Sequence, residues 1–284
     1  MTTPGDEAQG IRSVGGLHVA TLGKPEASRQ VLLFMGFLAC VEPFELQRFA
    51  VLAREWDAQV TVVDTPGYGQ GGATLAWPER RGLLGGDFTA VARRLVRTAQ
   101  EVHSRLRHGP VTLVGYSMGA SLASAASADP GLVRVADMVL VEPVAIRHWN
   151  PIGLIGAVRS EDEVLDDYLV RNAEVPGAVP PAEHRGEPPT RRCPVDLGLL
   201  GYAISRGGIG RDLLRANAIQ SFPVQIGHGV HSRLSRSGDV RRLVATCREA
   251  GIVIHDAPVA GRHALWHSLP DVTALARLIR AQWD

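Results

Sequence analysis

Apolar and polar positions along the chain fall into two alternating patterns. Short, largely apolar runs rich in β-branched residues recur at Val31-Leu-Leu-Phe-Met-Gly36, Val60-Thr-Val-Val-Asp64, Val111-Thr-Leu-Val-Gly115 and Val135-Ala-Asp-Met-Val-Leu-Val141, and they read as buried strands. Between them, Glu42 to Trp56 carries Phe44, Leu46, Phe49 and Leu52 at helical spacing. From Asp87 to about Leu106, Phe88, Val91, Leu95, Ala99 and Val102 form one stripe with arginines opposite, and Asp87 is the candidate N-cap. Residues 1 to 10 read as a frayed tail, Ile11 to Leu22 as a hairpin turning at Gly15-Gly16, and residues 71 to 86 as a Gly-rich loop. Strands alternating with helices, each strand mostly apolar, predict a largely parallel sheet covered on both faces.

That rhythm stops between about Val144 and Gln220. The spacing there predicts a helix over Glu161 to Ala173, a Pro-rich loop from Val175 to Pro194 and a helical piece around Leu197 to Asn217, with no buried strand. The sheet pattern resumes at Phe222-Pro-Val-Gln-Ile226 and Ile252-Val-Ile254, and a helix over Val272 to Trp283 closes it. The expected organisation is therefore a core domain of residues 1–143 and 221–284, with residues 144–220 inserted as a helical cap.

The third apolar run breaks into Gly115-Tyr-Ser-Met-Gly119 and then into the small-residue segment Ala120 to Ala128, a strand–turn–helix sequence. A G-x-S-x-G pentapeptide in this setting is a nucleophile elbow: glycines on either flank leave room for a strained turn that projects the Ser117 hydroxyl above the sheet. The following helix would aim free N–H groups at the same point. A chance match in a chain with 31 glycines is the competing reading, and the flanking strand and helix weigh against it.

Composition narrows the classes. At 284 residues, 45% hydrophobic and 21% charged, the chain suffices for one large domain or a core with an insertion. The formal charge of +1 lacks the basic excess of a nucleic-acid binder. No apolar run approaches the roughly 20 residues of a bilayer span. The first ten residues carry no basic start followed by an apolar stretch, so a cytoplasmic protein without a cleaved signal is expected. Cys40, Cys193 and Cys247 are odd in number and in no CxxC pattern, implying neither a disulfide framework nor a zinc site. His228 and His231, without carboxylate or thiolate company, give only a weak metal signal. No cofactor and no metal are expected.

With these residues assembled, the chain resembles the α/β-hydrolase superfamily over almost its whole length. Met35-Gly36-Phe37 sits where that family places a His-Gly-x oxyanion loop. Asp64-Thr-Pro-Gly-Tyr-Gly69 looks like its D-x-P-G-x-G turn, Gly115 to Gly119 is the elbow, and Gly261-Arg-His263 looks like its Gly-x-His after the last strand. The resemblance implies an α/β-hydrolase fold, with Ser117 as nucleophile and His263 as base. His267 is the nearby competitor, for which a surface or capping role is expected, and the other histidines read as surface or structural. The implied oxyanion donors are the backbone N–H groups of Met118 and Phe37, which require no particular side chain; Met35 in place of the family's histidine removes a hydrogen bond from that loop.

The third member departs from the common pattern. The segment Gly227-His-Gly-Val-His-Ser-Arg-Leu-Ser235, where most relatives carry an aspartate, has no carboxylate. Val139-Leu-Val-Glu142-Pro resembles instead one subgroup of haloalkane dehalogenases, which carry a glutamate at the end of the strand after the elbow helix. Ser117 excludes their alkyl-halide chemistry. Glu142 is thus the candidate acid, with Asp239, read as a helix cap, and Asp256 in reserve. The resemblance implies a serine hydrolase acting by acyl transfer on a carboxylic ester or related small acyl substrate, through Ser117, His263 and Glu142. Two alternatives stay open: a catalytically silent binding or interaction protein of the same fold, and a cofactor-free perhydrolase or carbon–carbon hydrolase using the same three residues. Oligomeric state is not legible.

Overall fold

The computed structural model describes residues 10–186 and 192–283, with the side chains of residues 183 and 184 outside that description. The expected tail before residue 10, part of the Pro-rich loop and the side chain of His184 therefore lie outside the described residues.

The apolar runs form the strands that the pattern predicts. They are β1 (Arg12–Val14), β2 (Leu17–Leu22), β3 (Arg29–Phe34), β4 (Ala58–Val63), β5 (Val111–Tyr116), β6 (Val135–Val141), β7 (Val224–Gly229) and β8 (Ile254–Val259), joined in one sheet of order β1-β2-β4-β3-β5-β6-β7-β8. The β1–β2 and β2–β4 pairs are antiparallel and the rest parallel. The last two strands begin two residues later than their apolar runs and extend to Gly229 and Val259, because the segment before each serves as approach to the sheet. Alternate residues serve opposite faces, as the strand pleat requires. Val31, Leu33, Val114, Tyr116, Val139 and Val141 join the core cluster under α1 (Pro43–Glu55) and α11 (Leu269–Arg280). Leu32, Phe34, Leu113, Met138 and Leu140 join the cluster on the other face.

That second face is covered by α3 (Thr89–Val102), α5 (Gly119–Ser127), α9 (Ile209–Asn217) and α10 (Ser237–Glu249). Every residue of α5 is buried, which its Gly, Ala and Ser composition permits, since the helix lies against β5 with α3 and α9 alongside. Two of its three buried hydroxyls bond within the helix, Ser124 Oγ donating to Ala120 O and Ser127 Oγ to Ser124 O, each at 2.8 Å, while Ser121 Oγ has no hydrogen-bond partner among the described residues. Gly115 and Gly119 are obligatory: a Cβ on Gly119 would lie 2.0 Å from Phe34 O, and one on Gly115 would lie 2.4 Å from Gly119 O.

Several helical boundaries differ from the spacing. The loop expected at residues 71 to 86 contains α2 (Trp77–Leu84), held by tertiary bonds: Asp196 accepts from Leu75 N and from Arg80 Nε, both at 2.9 Å. The stripe expected to run to Leu106 breaks at His103, and α4 (Arg105–His108) is a separate turn. The N-cap position of α3 is Phe88 and not the expected Asp87, which lies one residue earlier and accepts Thr89 N–H at 2.8 Å.

Between β6 and β7 the described residues contain no strand. The helices there are α6 (Pro151–Asp162), α7 (Leu165–Val170), α8 (Pro194–Ser205) and α9, with 3-10 turns at Arg171–Glu174 and Ala182–Arg185. The single helix expected over Glu161 to Ala173 is instead the end of α6, then α7 and the first 3-10 turn, and α6 itself begins at Pro151, where Asn150 Oδ1 caps Gly153 N–H at 2.6 Å. Helices α6 and α7 pack on the 3-10 turn His263–His267, α8 packs on α2 and α6, and α9 packs on α5 and α10.

Candidate active site

The site forms where β5, β6 and the 3-10 turn after β8 meet. Ser117 follows the last residue of β5 and adopts φ +55°, a left-handed conformation rare for a residue with a side chain. Its amide still completes the ladder, donating to Val141 O at 2.8 Å, so the strain falls on the turn and the side chain stands clear of the sheet. Ser117 Oγ lies 3.0 Å from His263 Nε2, and His263 Nδ1 lies 2.9 Å from Glu142 Oε2. A carboxylate oxygen accepts, which puts the ring proton on Nδ1 and leaves Nε2 free to accept from the serine hydroxyl. Ser117 and His263 are each 8% exposed and Glu142 is fully buried.

Glu142 owes its position to its backbone, which turns to φ +50° immediately after β6. Besides the imidazole, its carboxylate accepts the Gly229 N–H at Oε1 and the Ser232 hydroxyl at Oε2, the latter at 2.7 Å. Ser232 Oγ in turn accepts Ser235 N–H at 2.9 Å. The loop after β7, which lacks a carboxylate, thus contributes donors to the one that β6 supplies.

The reserve carboxylates are engaged elsewhere. Asp239 lies inside the first turn of α10, with Arg236 at the N-cap position, and it pairs with Arg242 and with Arg147 at 3.5 Å. Its expected role as a cap is therefore not the one it has. Asp256 sits on β8 facing the buried His228, Oδ1 to Nε2 3.0 Å. His267 is not a surface residue: its half-buried ring stacks on Phe44 at 5.9 Å, and its carbonyl accepts Arg48 Nη2 at 2.6 Å and Asn172 Nδ2 at 2.8 Å. Burial, then the positive charge of Arg48 and the neighbouring His263, pulls its imidazole down to about 3. Among the described residues no group of three or more His, Cys, Asp and Glu side chains is placed to hold a metal ion.

Several residues that support His263 carry no signal in the sequence. The Tyr116 ring stacks on the imidazole, at 5.4 Å, and on Trp266, at 4.7 Å. Arg48, on α1 and fully buried, bonds the carbonyls of Phe44, Trp266 and His267, clamping the turn that carries the histidine. From the other side, the Glu161 carboxylate of α6 accepts His263 N–H at 3.1 Å and Arg233 N–H, Tyr168 Oη accepts Arg262 N–H at 2.7 Å, and Arg262 Nη1 donates to Ser160 O at 3.1 Å.

The loop after β3 runs beside the serine. A Cβ on Gly36 would lie 3.5 Å from Ser117 Cβ and 2.9 Å from two Tyr116 ring carbons, so only glycine lets the Gly36–Phe37 peptide approach this closely. Leu38 is held at φ +69°. Met118, the residue after the serine, is buried just before the first turn of α5, while Phe37 stays partly exposed.

The model of the alpha/beta hydrolase fold family matches residues 30–175, just over half of the chain. The chain belongs to the alpha/beta hydrolase fold family. Membership accounts for the sheet order and for the elbow between β5 and α5, and it supports a hydrolase enzyme. The chain is similar in structure to the thioesterase domain from a curacin biosynthetic pathway, at 20% identity and TM-score 0.60, over 96% of this chain and 98% of that one. It is also similar to a bromoperoxidase from Bacillus anthracis, at 16% identity and TM-score 0.61, over 96% and 100% of the two chains. For the enol-lactonase from Burkholderia xenovorans the values are 16%, 0.57, and 90% and 93%. At such identities the likeness is one of fold. No curated protein sequence matches the chain. Among the described residues no helix is long and apolar enough to cross a membrane.

Proposed function

We propose that the protein is a serine hydrolase that transfers the acyl group of a carboxylic ester, or of a related small acyl substrate, to water through Ser117, His263 and Glu142. The observation that carries this reading is the continuous hydrogen-bonded line from Ser117 Oγ through both imidazole nitrogens to the buried Glu142 carboxylate. A serine hydroxyl attacks a carbonyl only when a base removes its proton as the bond forms, and Nε2 is within reach to do so. The imidazolium that results is balanced by Glu142, whose carboxylate is kept in place by Gly229 N–H at Oε1 and by the Ser232 hydroxyl, which shares Oε2 with Nδ1. The Met118 and Phe37 N–H groups receive the oxyanion of the tetrahedral intermediate. His263 then returns the proton to the leaving alcohol, and water, activated by the same imidazole, releases the acid and regenerates Ser117.

A glutamate at the end of the strand after the elbow helix is the arrangement of the dehalogenase subgroup, here joined to a serine nucleophile. In this reading the helical segment over residues 144–220 caps the site. Its α6 and α7 are tied to the His263 turn by the bonds of Glu161, Ser160 and Tyr168, on the side of the serine, and α9 belongs with the helices on the sheet.

The test is covalent labelling with a fluorophosphonate, together with hydrolysis of p-nitrophenyl acetate. The wild-type protein is expected to label at Ser117 and to turn over the ester, and Ser117→Ala to lose both while keeping its circular dichroism spectrum. Labelling that survives the substitution would overturn the assignment, and a wild-type protein that neither labels nor hydrolyses would favour a silent binding role.

A further inference from the structure

A trans peptide is planar with its C=O and N–H pointing in opposite directions, so a hydrogen bond at the carbonyl oxygen fixes where the N–H points. In the loop after β3, the carbonyl of Gly36 belongs to the same peptide as the N–H of Phe37. That carbonyl accepts the Tyr68 hydroxyl at 3.2 Å and Ala39 N–H at 3.3 Å. Met35, which precedes it, is buried in the core under α1 and α11 and offers no donor that would brace the loop.

Tyr68 is well placed for this. Its side chain is buried, and its ring meets the Phe37 ring edge-on at 5.8 Å, so it holds the peptide from the hydroxyl and the adjacent side chain from the ring. Burial raises its phenol above the usual value, which keeps it protonated and a donor. The turn that carries Tyr68 also secures the far end of the loop, since Asp64 Oδ1 accepts Val41 N–H at 2.7 Å. The turn itself is tied down: Gly67 N–H donates to Ala73 O at 2.7 Å, and Gly67 O accepts Cys193 N–H at 2.8 Å. A loop gripped at residues 36 and 41 sustains the left-handed Leu38 between them.

We propose that Tyr68 is a positioning residue for the oxyanion, its hydroxyl orienting the Gly36–Phe37 peptide so that the Phe37 N–H is aimed at the oxygen that becomes negative when Ser117 attacks. This rests on the serine-hydrolase reading above. An oxyanion donor acts in the transition state more than in the ground state, so its misalignment lowers kcat with little change in KM.

The experiment compares wild type, Tyr68→Phe and a protein carrying 3-fluorotyrosine at position 68, which keeps the hydroxyl. Each is assayed for p-nitrophenyl acetate hydrolysis and for affinity toward a trifluoromethyl ketone, which forms a tetrahedral adduct bearing an oxyanion. Tyr68→Phe is expected to lower kcat by roughly 10- to 100-fold with KM within about twofold, and to weaken the ketone by the same factor as kcat/KM. The fluorotyrosine protein is expected to stay within about threefold of wild type. Wild-type kcat in Tyr68→Phe, a loss confined to KM, a fluorotyrosine protein as slow as the phenylalanine variant, or failure to fold on loss of one oxygen atom would each overturn the proposal. A wild-type protein inert to both the ketone and a fluorophosphonate would instead remove the serine-hydrolase reading, and this proposal with it.

Discussion

Ser117 and Glu142 occupy matching positions at the ends of neighbouring parallel strands, and both are left-handed, at φ +55° and +50°. Each amide still donates to the next strand, Ser117 to Val141 O and Glu142 to Gly227 O, both at 2.8 Å. Conformations of this kind cost on the order of 1–3 kcal/mol each for a residue with a side chain, and they persist only where the surroundings enforce them. Here the parallel ladders hold the strand ends while the turns lift both side chains to His263.

The role of Glu142 is tested by its amide. Glu142→Gln keeps the size of the side chain but faces Nδ1 with a group that either donates or accepts, so the imidazole loses its enforced tautomer and its balancing charge. Turnover at pH 7 is expected to fall by about 10³- to 10⁴-fold, with fluorophosphonate labelling slow but detectable. Asp239→Asn and Asp256→Asn, whose partners are Arg242 and His228, are expected to stay within a few-fold of wild type. Steady-state kinetics of the three variants decides among the carboxylates, and near-normal turnover of Glu142→Gln would remove it from the mechanism.

Glu161 joins α6 to His263. An amide at this position retains one good acceptor for two N–H donors, so Glu161→Gln is expected to cost about 1–3 kcal/mol in urea unfolding. Because one of those donors is the His263 N–H, kcat is expected to fall by roughly tenfold as well, with partial recovery in Glu161→Asp. Unfolding and turnover both indistinguishable from wild type would show that the helix does not brace the histidine.

His267 predicts a pH dependence of stability. Its folded-state pKa of about 3 lies below the unfolded value, so between pH 6.5 and 3 the unfolded chain binds a proton that the folded one refuses. Its contribution is therefore fully present above pH 6.5 and is lost as pH falls through that window. His267→Gln keeps the carbonyl that Arg48 and Asn172 bond, and it should show a shallower loss of stability on acidification. Urea midpoints taken at intervals from pH 7 to 4 measure this, and identical slopes for the two proteins would contradict it.

What the sequence shows and hides follows from distance along the chain. The strands and the elbow are local patterns, so their spacing is visible without the fold, and His263 is reached through the order of landmarks. Helix α2 is hidden because Pro78, Gly82, Gly85 and Gly86 have the composition of a loop, and its start, where Glu79 accepts the N–H of an alanine at the N-cap, is held from Asp196 more than 100 residues away. Helix α6 had a legible start in Asn150-Pro151, a capping residue followed by proline, which the weak apolar spacing behind it obscures. Tyr116, Arg48 and Glu161 support the histidine through partners more than 100 residues away, which no spacing rule reveals.

The clamp made by Arg48 sets an order on biosynthesis. Synthesis proceeds from the N-terminus, so α1 leaves the ribosome long before the two C-terminal carbonyls its guanidinium requires, those of Trp266 and His267. Until they arrive the guanidinium has Phe44 O and the carboxylates of Glu45 and Glu42 nearby but lacks two of its three carbonyl acceptors, so its burial is incomplete. The nascent chain therefore holds Ser117 well before its partner imidazole is seated, and the same late event that closes the core over Arg48 brings the imidazole into place.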